Sequence, residues 1–414
     1  MSAIWHPFTQ HGLGEPIPLV ARAEGAALHT ADGTRVIDGI SSWWVTTHGH
    51  NHPRIMAAIR DQTERLDQVI FAGWTHQPAE SVAAGLRALM PADLTRVFFS
   101  DSGSTAVEVA LKMALGYHAH TGTGRSGIVV MEHSYHGDTI GTMSVGERGV
   151  FNAAYAPLLF DVGTIPFPVG DGDNTLSALT RLCRDTHPAA LIVEPLVLGA
   201  GGMLFYSAKV LRQMAEICRA HDVLFIADEV MTGWGRTGTL LACEQAGIVP
   251  DILCLAKGLT GGSMPLAVTM ATEPIYAAHW STDRARMFFH SSSFTANPLA
   301  CAAAAANIAI WQDEPVRERI AALAARQAAM VERLARLPGV TNPRTCGTIA
   351  AIDVIAPDGG YLSNLAPRLL AHFRHAHVLL RPLGNTIYVL PPYCLDNDDH
   401  ARIEAVIAQA VPGT

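Results

Sequence analysis

Lys257 closes an apolar run, Asp251-Ile-Leu-Cys-Leu-Ala-Lys, and is followed at once by Gly258 and, after Leu-Thr, by Gly261-Gly262. A lysine at the end of a buried strand is poorly solvated, which lowers its pKa and frees a neutral amine to attack an aldehyde. Taken alone, such a lysine more often reaches solvent with its stem lying over apolar surface. Its company reverses that balance. Asp228 ends the preceding run, Phe225-Ile-Ala-Asp-Glu-Val, where a carboxylate leaving an apolar strand needs a cationic partner. A protonated ring nitrogen would serve, and the ion pair would make that ring an electron sink. Gly103 and Ser104 open a helix after Val97-Phe-Phe-Ser-Asp-Ser, so their N–H groups and a hydroxyl are candidates for holding a phosphate; an ordinary helix cap is the rival explanation. Tyr135, in Ser134-Tyr-His-Gly-Asp, follows another strand and either stacks on a ring or packs in a core. Glu194 ends a further strand, and Arg236 stands in the glycine-flanked loop Thr232-Gly-Trp-Gly-Arg-Thr-Gly.

These side chains need a scaffold that gathers strand ends. Between Val97 and Lys257, short apolar runs alternate with Gly/Ser turns and long amphipathic runs, the pattern of α/β units around a mostly parallel sheet. The runs at 127–131, 190–195, 223–229 and 251–257 each end in or lead to a polar residue, at the sheet edge where ligands sit in open α/β folds. In the helix after Ser102, Val107, Ala110, Leu111 and Ala114 share a face, and Glu108 and Lys112 are spaced to pair. Beyond Pro298 an Ala-rich helix runs through Trp311, helical sequence continues to about Leu337, and short strands then alternate with helices. The predicted organisation is a segment 1–50 joining a small domain, a large α/β domain over 51–305, and the rest of the small α+β domain over 306–414. A hairpin turn is predicted at Asp32-Gly-Thr. His48-Gly-His-Asn-His52 places three imidazoles within five residues, but no acidic or cysteine cluster accompanies them, so the stretch reads as a turn before a helix and no metal is expected.

Composition narrows the class of function. Charged residues make up 16% of the 414, against about 25% in an average globular protein, so much surface must be hidden inside or between subunits. Net charge is −8 and the 29 Lys+Arg are scattered, which argues against a nucleic-acid partner and for small-molecule chemistry. The seven cysteines are odd in number and form no C-x-x-C pair, the usage of a reduced, cytoplasmic protein. Met1-Ser-Ala-Ile-Trp-His-Pro carries neither a basic nor an apolar signal region, and the apolar stretch Ala300 to Trp311 is shorter than the roughly 20 residues a bilayer requires. No membrane association is expected.

With these residues assembled, the chain resembles the class III branch of the fold-type I pyridoxal-phosphate (PLP) aminotransferases over essentially its whole length. The stretch Phe225-Ile-Ala-Asp-Glu-Val through Gly233-Trp-Gly-Arg-Thr-Gly, then Pro250-Asp-Ile-Leu-Cys-Leu-Ala-Lys-Gly, is similar to the family signature. The resemblance implies that Lys257 carries the cofactor as a Schiff base and that Asp228 faces its ring nitrogen. It also implies that Tyr135 stacks on the ring, that Gly103 and Ser104 bind the phosphate, and that Glu194 and Val230 line the cofactor. Ser293 would reach the phosphate from a neighbouring subunit, which implies an obligate homodimer with shared active sites.

Within the family, Trp5-His-Pro-Phe-Thr, Ser41-Ser-Trp-Trp-Val, Tyr135-His-Gly-Asp-Thr and Arg381-Pro-Leu-Gly-Asn-Thr-Ile-Tyr-Val-Leu-Pro-Pro-Tyr resemble the branch that aminates 8-amino-7-oxononanoate to 7,8-diaminononanoate in biotin synthesis. A long apolar chain ending in a carboxylate needs an aromatic slot with a cation at its far end, for which Trp43, Trp44 and Arg381 are candidates. Phe8, Asp138, Arg236, Ser291 and Tyr388 are the further substrate-binding candidates. Phe8 stands where adenosylmethionine-using members carry tyrosine and lysine-using relatives carry phenylalanine, so the sequence leaves both donors open. Leu198 replaces a common glutamine, and Ser291-Ser-Ser293 replaces Gly-x-Thr. An ω-aminotransferase with pyruvate or 2-oxoglutarate as acceptor is the second reading, and a PLP-binding protein without catalysis the third.

Overall fold

The computed structural model describes residues 3–357 and 360–411; the extreme ends of the two terminal segments, 1–2 and 412–414, lie outside them. The central sheet has seven strands in the spatial order Leu94–Ser100, Ala267–Thr272, Ile252–Leu255, Leu224–Asp228, Ala190–Val193, Ile128–Met131 and Gly163–Ile165. Six run parallel. The sequence pattern did not single out the seventh, Ala267–Thr272, which lies antiparallel between the first strand and the lysine strand and pairs Val268 with both Phe99 and Leu255. The inner strands are apolar without alternation because helices cover both faces; Ala190–Val193 and Ile252–Leu255 are buried at every position. Register does the positioning: Ala227 pairs with Val193, and Asp228 with Cys254. Glu194, Asp228 and Lys257 therefore emerge at one edge.

The helix Gly103–His120 follows the first strand directly and is started by a capping box, in which Ser102 and Thr105 satisfy each other's backbone N–H groups. Glu108 and Lys112 on this helix do not pair. Glu108 instead accepts from Gly141 N (3.0 Å) and Thr139 Oγ1, and Lys112 Nζ donates to Phe289 O at 2.6 Å. Loop groups that need partners outcompete a surface pair worth about 0.5 kcal/mol.

The N-terminal strands Val20–Glu24, Ala27–Thr30 and Arg35–Asp38 form a meander extended by the C-terminal strand Val378–Leu379, with Ile37 opposite Val378. The turn at Asp32 closes through Thr34 N to Asp32 Oδ1 at 3.0 Å, with Gly33 at φ 89°. A second small sheet joins Val340–Cys346, Ile349–Val354 and Thr386–Val389. The Ala-rich helix Pro298–Asp313 is buried on most sides. It approaches the helix Gln77–Leu89 so closely that a Cβ at Gly85 would fall 2.7 Å from Ile308 Cγ2.

Candidate active site

The strand ends open into a cavity of about 490 Å³. Lys257 stands at its floor in the left-handed region, φ 46°, at the head of a tight 3-10 turn, Lys257–Thr260. Its Nζ lies 4.6 Å from the centre of the Trp44 ring. Burial pushes the ammonium down to about 8, against the opposing pull of Asp228 and Glu194. An amine so placed is a nucleophile and a base near neutral pH.

Asp228 is 4% exposed and accepts from Val230 N (3.1 Å) and from His136 Nδ1 (2.7 Å). His136 Nε2 is buried with no partner among the described residues. The imidazole thereby fixes the orientation of the carboxylate, a role for which the only sequence signal was an imidazole adjacent to Tyr135. Glu229, the next residue, points to the opposite face as strand alternation requires, accepting from Thr232 Oγ1, Ala242 N and Cys243 N. Glu194 Oε1 accepts from Tyr135 N at 3.0 Å and Oε2 from Gly199 N at 2.9 Å, while burial raises the carboxyl to about 7. It holds the backbone of Tyr135, whose phenol is pushed upward by burial and by Asp138.

At the other side of the floor the Gly103–His120 helix presents its first turn, in which the capping box takes Thr105 N and leaves the N–H groups of Gly103 and Ser104 without intrahelical acceptors. Glycine is needed at this approach. A Cβ on Gly103 would fall 2.6 Å from Val230 Cγ1, and one on Gly137 would fall 2.0 Å from Ser104 Oγ. Ser102 joins Gly103 and Ser104 in the cavity wall, a residue the sequence reading passed over.

The upper wall is aromatic. Trp43 and Trp44 lie on a short turn, not a strand, with Ser41, Ser42 and Trp44 at positive φ. Asp38 holds that turn, accepting from Ile40 N (3.2 Å), Ser42 N (2.7 Å) and His50 Nε2 (2.8 Å). Trp44 Nε1 donates to Tyr388 Oη at 2.9 Å. Phe8 packs edge-on against Trp43, with centroids 5.5 Å apart. Arg381 lies 5.5 Å over the Trp43 ring and gives Nη2 to Phe8 O at 2.9 Å. Phe151 and Tyr361 complete the wall. They come from loops without periodicity, and nothing in the sequence marks them.

Four predicted site residues stand outside this cavity. Arg236 is 1% exposed and donates to the carbonyls of Trp44, Thr46 and Pro391 at 3.3, 2.9 and 2.9 Å. Its guanidinium braces the tryptophan turn from behind and does not face the cavity that a substrate would enter. Asp138 lines a second cavity of about 420 Å³ on the far side of Tyr135. Ser291 and Ser293 are exposed on a surface loop, where Ser293 O accepts from Gln68 Nε2 at 2.8 Å.

A lysine and a carboxylate thus stand at neighbouring strand ends beside the N-terminus of a helix, and the chain that carries them has known relatives. The family model for Aminotransferase class-III matches residues 9–411. The chain belongs to the class-III aminotransferases. It is 47% identical over 98% of its length, and 97% of the relative's, to the adenosylmethionine-8-amino-7-oxononanoate aminotransferase of Synechococcus elongatus. The namesake from Nitratidesulfovibrio vulgaris is 40% identical, covering 99% of this chain and 80% of the relative. Among solved structures, the adenosylmethionine-8-amino-7-oxononanoate aminotransferase of Methanocaldococcus jannaschii superposes with a TM-score of 0.95 at 31% identity, over 99% of this chain and 96% of that one. An amine transaminase from an uncultivated Pseudomonas species, in a PLP-bound form, gives 0.91 at 31% over 99% and 98%. This aminotransferase has no helix long and apolar enough to cross a membrane among its described residues.

Proposed function

We propose that this aminotransferase uses pyridoxal phosphate to aminate 8-amino-7-oxononanoate to 7,8-diaminononanoate, in the cytoplasm, as a homodimer. The observation that carries the substrate is the shape of the cavity: an aromatic slot starting above Lys257 and ending at the Arg381 guanidinium. The names of the relatives agree with it.

The residues present fit the cofactor. The helix N-terminus at Gly103–Ser104 suits a phosphate, the buried Asp228 carboxylate a protonated ring nitrogen, and the Lys257 amine an aldehyde. When bound, PLP supplies an electron-withdrawing ring that delocalises the charge left when a C–H bond beside an amine breaks. The protein's own residues do the rest. Lys257 Nζ, poised near neutrality, takes and returns the proton. Asp228, oriented by His136, keeps the positive charge opposite it in place. Trp43, Trp44 and Phe8 exclude water from the substrate chain, and Arg381 binds its terminal carboxylate.

Two unlike substrates must occupy the pocket in turn. Phe8 brings no hydroxyl to the mouth, so the donor is to be decided by assay: the bound cofactor's visible absorbance is followed on adding adenosylmethionine or lysine, then 8-amino-7-oxononanoate. The reading expects one of the two to bleach the cofactor band and the keto acid to restore it. Failure with both would sink the biotin-pathway assignment, and restoration by pyruvate alone would establish the ω-aminotransferase reading. Arg381→Ala is expected to lower kcat/KM for the keto acid about a hundredfold, the worth of a charge-assisted clamp, while cofactor affinity stays within about threefold. Equal losses in both would remove the clamp.

The homodimer is supported by exposed apolar side chains around Ser293. Phe289 and Phe294 are 65% and 61% exposed, and Ile70 and Trp74, in the loop that Gln68 ties to Ser293, are 65% and 67% exposed. The seven cysteines are all free thiols, in keeping with a reducing compartment.

A further inference from the structure

Asn307 is the polar residue at the centre of the Ala-rich helix Pro298–Asp313, fully buried among Ala303, Ala304, Ile308 and Trp311. A buried amide is costly unless every hydrogen-bonding group is used. Asn307 uses all of them, and two go to the backbone just after the reactive lysine: Nδ2 donates to Gly258 O and to Leu259 O, both at 3.0 Å. Because both N–H groups are committed, Oδ1 must accept, and the group facing it at 2.9 Å is His48 Nε2. That fixes the tautomer: His48 donates from Nε2 and leaves Nδ1 with a lone pair, and Nδ1 is indeed buried without a partner. The charged or titratable groups around His48 include His52, Glu314, Arg319 and the Tyr393 ring, and burial outweighs the charges, holding the imidazole down to about 4 and so neutral across the working range.

The turn so gripped needs holding. Lys257 is not a glycine yet sits at φ 46°, a region disfavoured for a residue with a Cβ. Close contacts lock the turn on its other sides: a Cβ on Gly258 would fall 2.7 Å from the Trp234 side chain, and one on Gly262 would fall 2.6 Å from the carbonyl of Val45. Thr47 N, next to His48, reaches Gly261 O at 3.4 Å. His48 and the lysine turn therefore belong to one packed unit.

We propose that Asn307 and His48 are positioning residues for the chemistry at Lys257: Asn307 clamps the Gly258 and Leu259 carbonyls and so fixes the left-handed backbone that aims Nζ into the cavity, and His48 fixes Asn307. The proposal rests on the reading of Lys257 as the reacting amine. It gives the first histidine of the His48–His52 cluster a task that involves no metal.

The test compares His48→Phe, which keeps a ring but no donor, with His48→Gln, whose amide can donate to Asn307, and adds Asn307→Ala, all as holoenzymes. Two quantities are read: the saturating single-turnover rate with the donor amine, and the pH midpoint of the bound cofactor's visible absorbance, which reports the surroundings of Lys257 Nζ. His48→Phe and Asn307→Ala should lower the saturating rate roughly tenfold to a hundredfold, as misplacement of a reacting group does, with half-saturation within about twofold. The midpoint should move by about half a pH unit or more, and His48→Gln should restore most of both. Should Asn307→Ala not fold, the two His48 variants decide alone. A midpoint unmoved in His48→Phe, or identical behaviour of the Phe and Gln variants, would overturn the proposal. A wild-type chain with no visible cofactor band would overturn the underlying reading of Lys257 and this proposal with it.

Discussion

Lys257→Ala is expected to reduce turnover by about a thousandfold or more, the scale for losing the positioned proton-transfer group and covalent anchor that Lys257 is proposed to be. No other amine can substitute. The chain contains three lysines, Lys112, Lys209 and Lys257. Lys112 is committed to the Phe289 carbonyl and Lys209 to Asp171, with the Lys209 side chain 64% exposed. Neither lines the cavity. The scarcity of lysine also makes the anchor directly identifiable: borohydride reduction of the holoenzyme followed by peptide mapping should leave the cofactor on Lys257 alone. A variant that kept full activity, or a label on Lys112 or Lys209, would remove Lys257 from the mechanism.

Asp228→Asn should be nearly as damaging, lowering kcat on the order of a hundredfold to a thousandfold, as removal of a buried charge-stabilising group does. The amide matches the carboxylate in shape, so packing at this 4% exposed position is conserved while the charge and one of the two acceptors used by Val230 N and His136 Nδ1 are lost. The consequence extends to His136, whose Nδ1 lies 2.7 Å from the carboxylate and whose Nε2 has no partner among the described residues. Facing an amide, the imidazole loses its charged acceptor, so the residue that orients position 228 is loosened together with it. Weakened cofactor retention and a slowed half-reaction are both expected, measured by equilibrium dialysis and stopped-flow absorbance. A slowed reaction with unaltered retention would place Asp228 in the chemistry without a share in holding the cofactor, and unaltered rates would remove it from the site.

The scaffold was legible where one physical rule dominated. Apolar runs ending in a polar residue marked the strands at 190–193, 224–228 and 252–255, since strands covered on both faces tolerate little else. The glycines at 103 and 137 could be read as close-approach positions only once their neighbours, Val230 and Ser104, were known. Ala267–Thr272 escaped because nothing in an apolar run states its direction. Arg236 illustrates the limit for side chains: a glycine-flanked arginine near a carboxylate-bearing strand has the sequence environment of a ligand-binding group, yet its Nη1 and Nη2 donate to three main-chain carbonyls. Phe151 and Tyr361 meet only through tertiary packing, with ring centroids 4.5 Å apart across more than half of the chain.

The antiparallel strand Ala267–Thr272 also determines when the molecule can fold. It separates Leu94–Ser100, which leads to the Gly103–Ser104 helix end, from Ile252–Leu255, which leads to Lys257, and it is made later in the chain than either. On the ribosome, the two halves of the cavity floor therefore emerge without the strand that sets their spacing, while Leu94–Ser100 lacks its partner and the apolar Ile252–Leu255 keeps one edge open. Contacts of such long sequence separation form slowly, and exposed apolar edges in the interval favour aggregation. A nascent chain halted before Ala267 should be soluble only with chaperone help, whereas release just beyond the strand should allow the sheet to close.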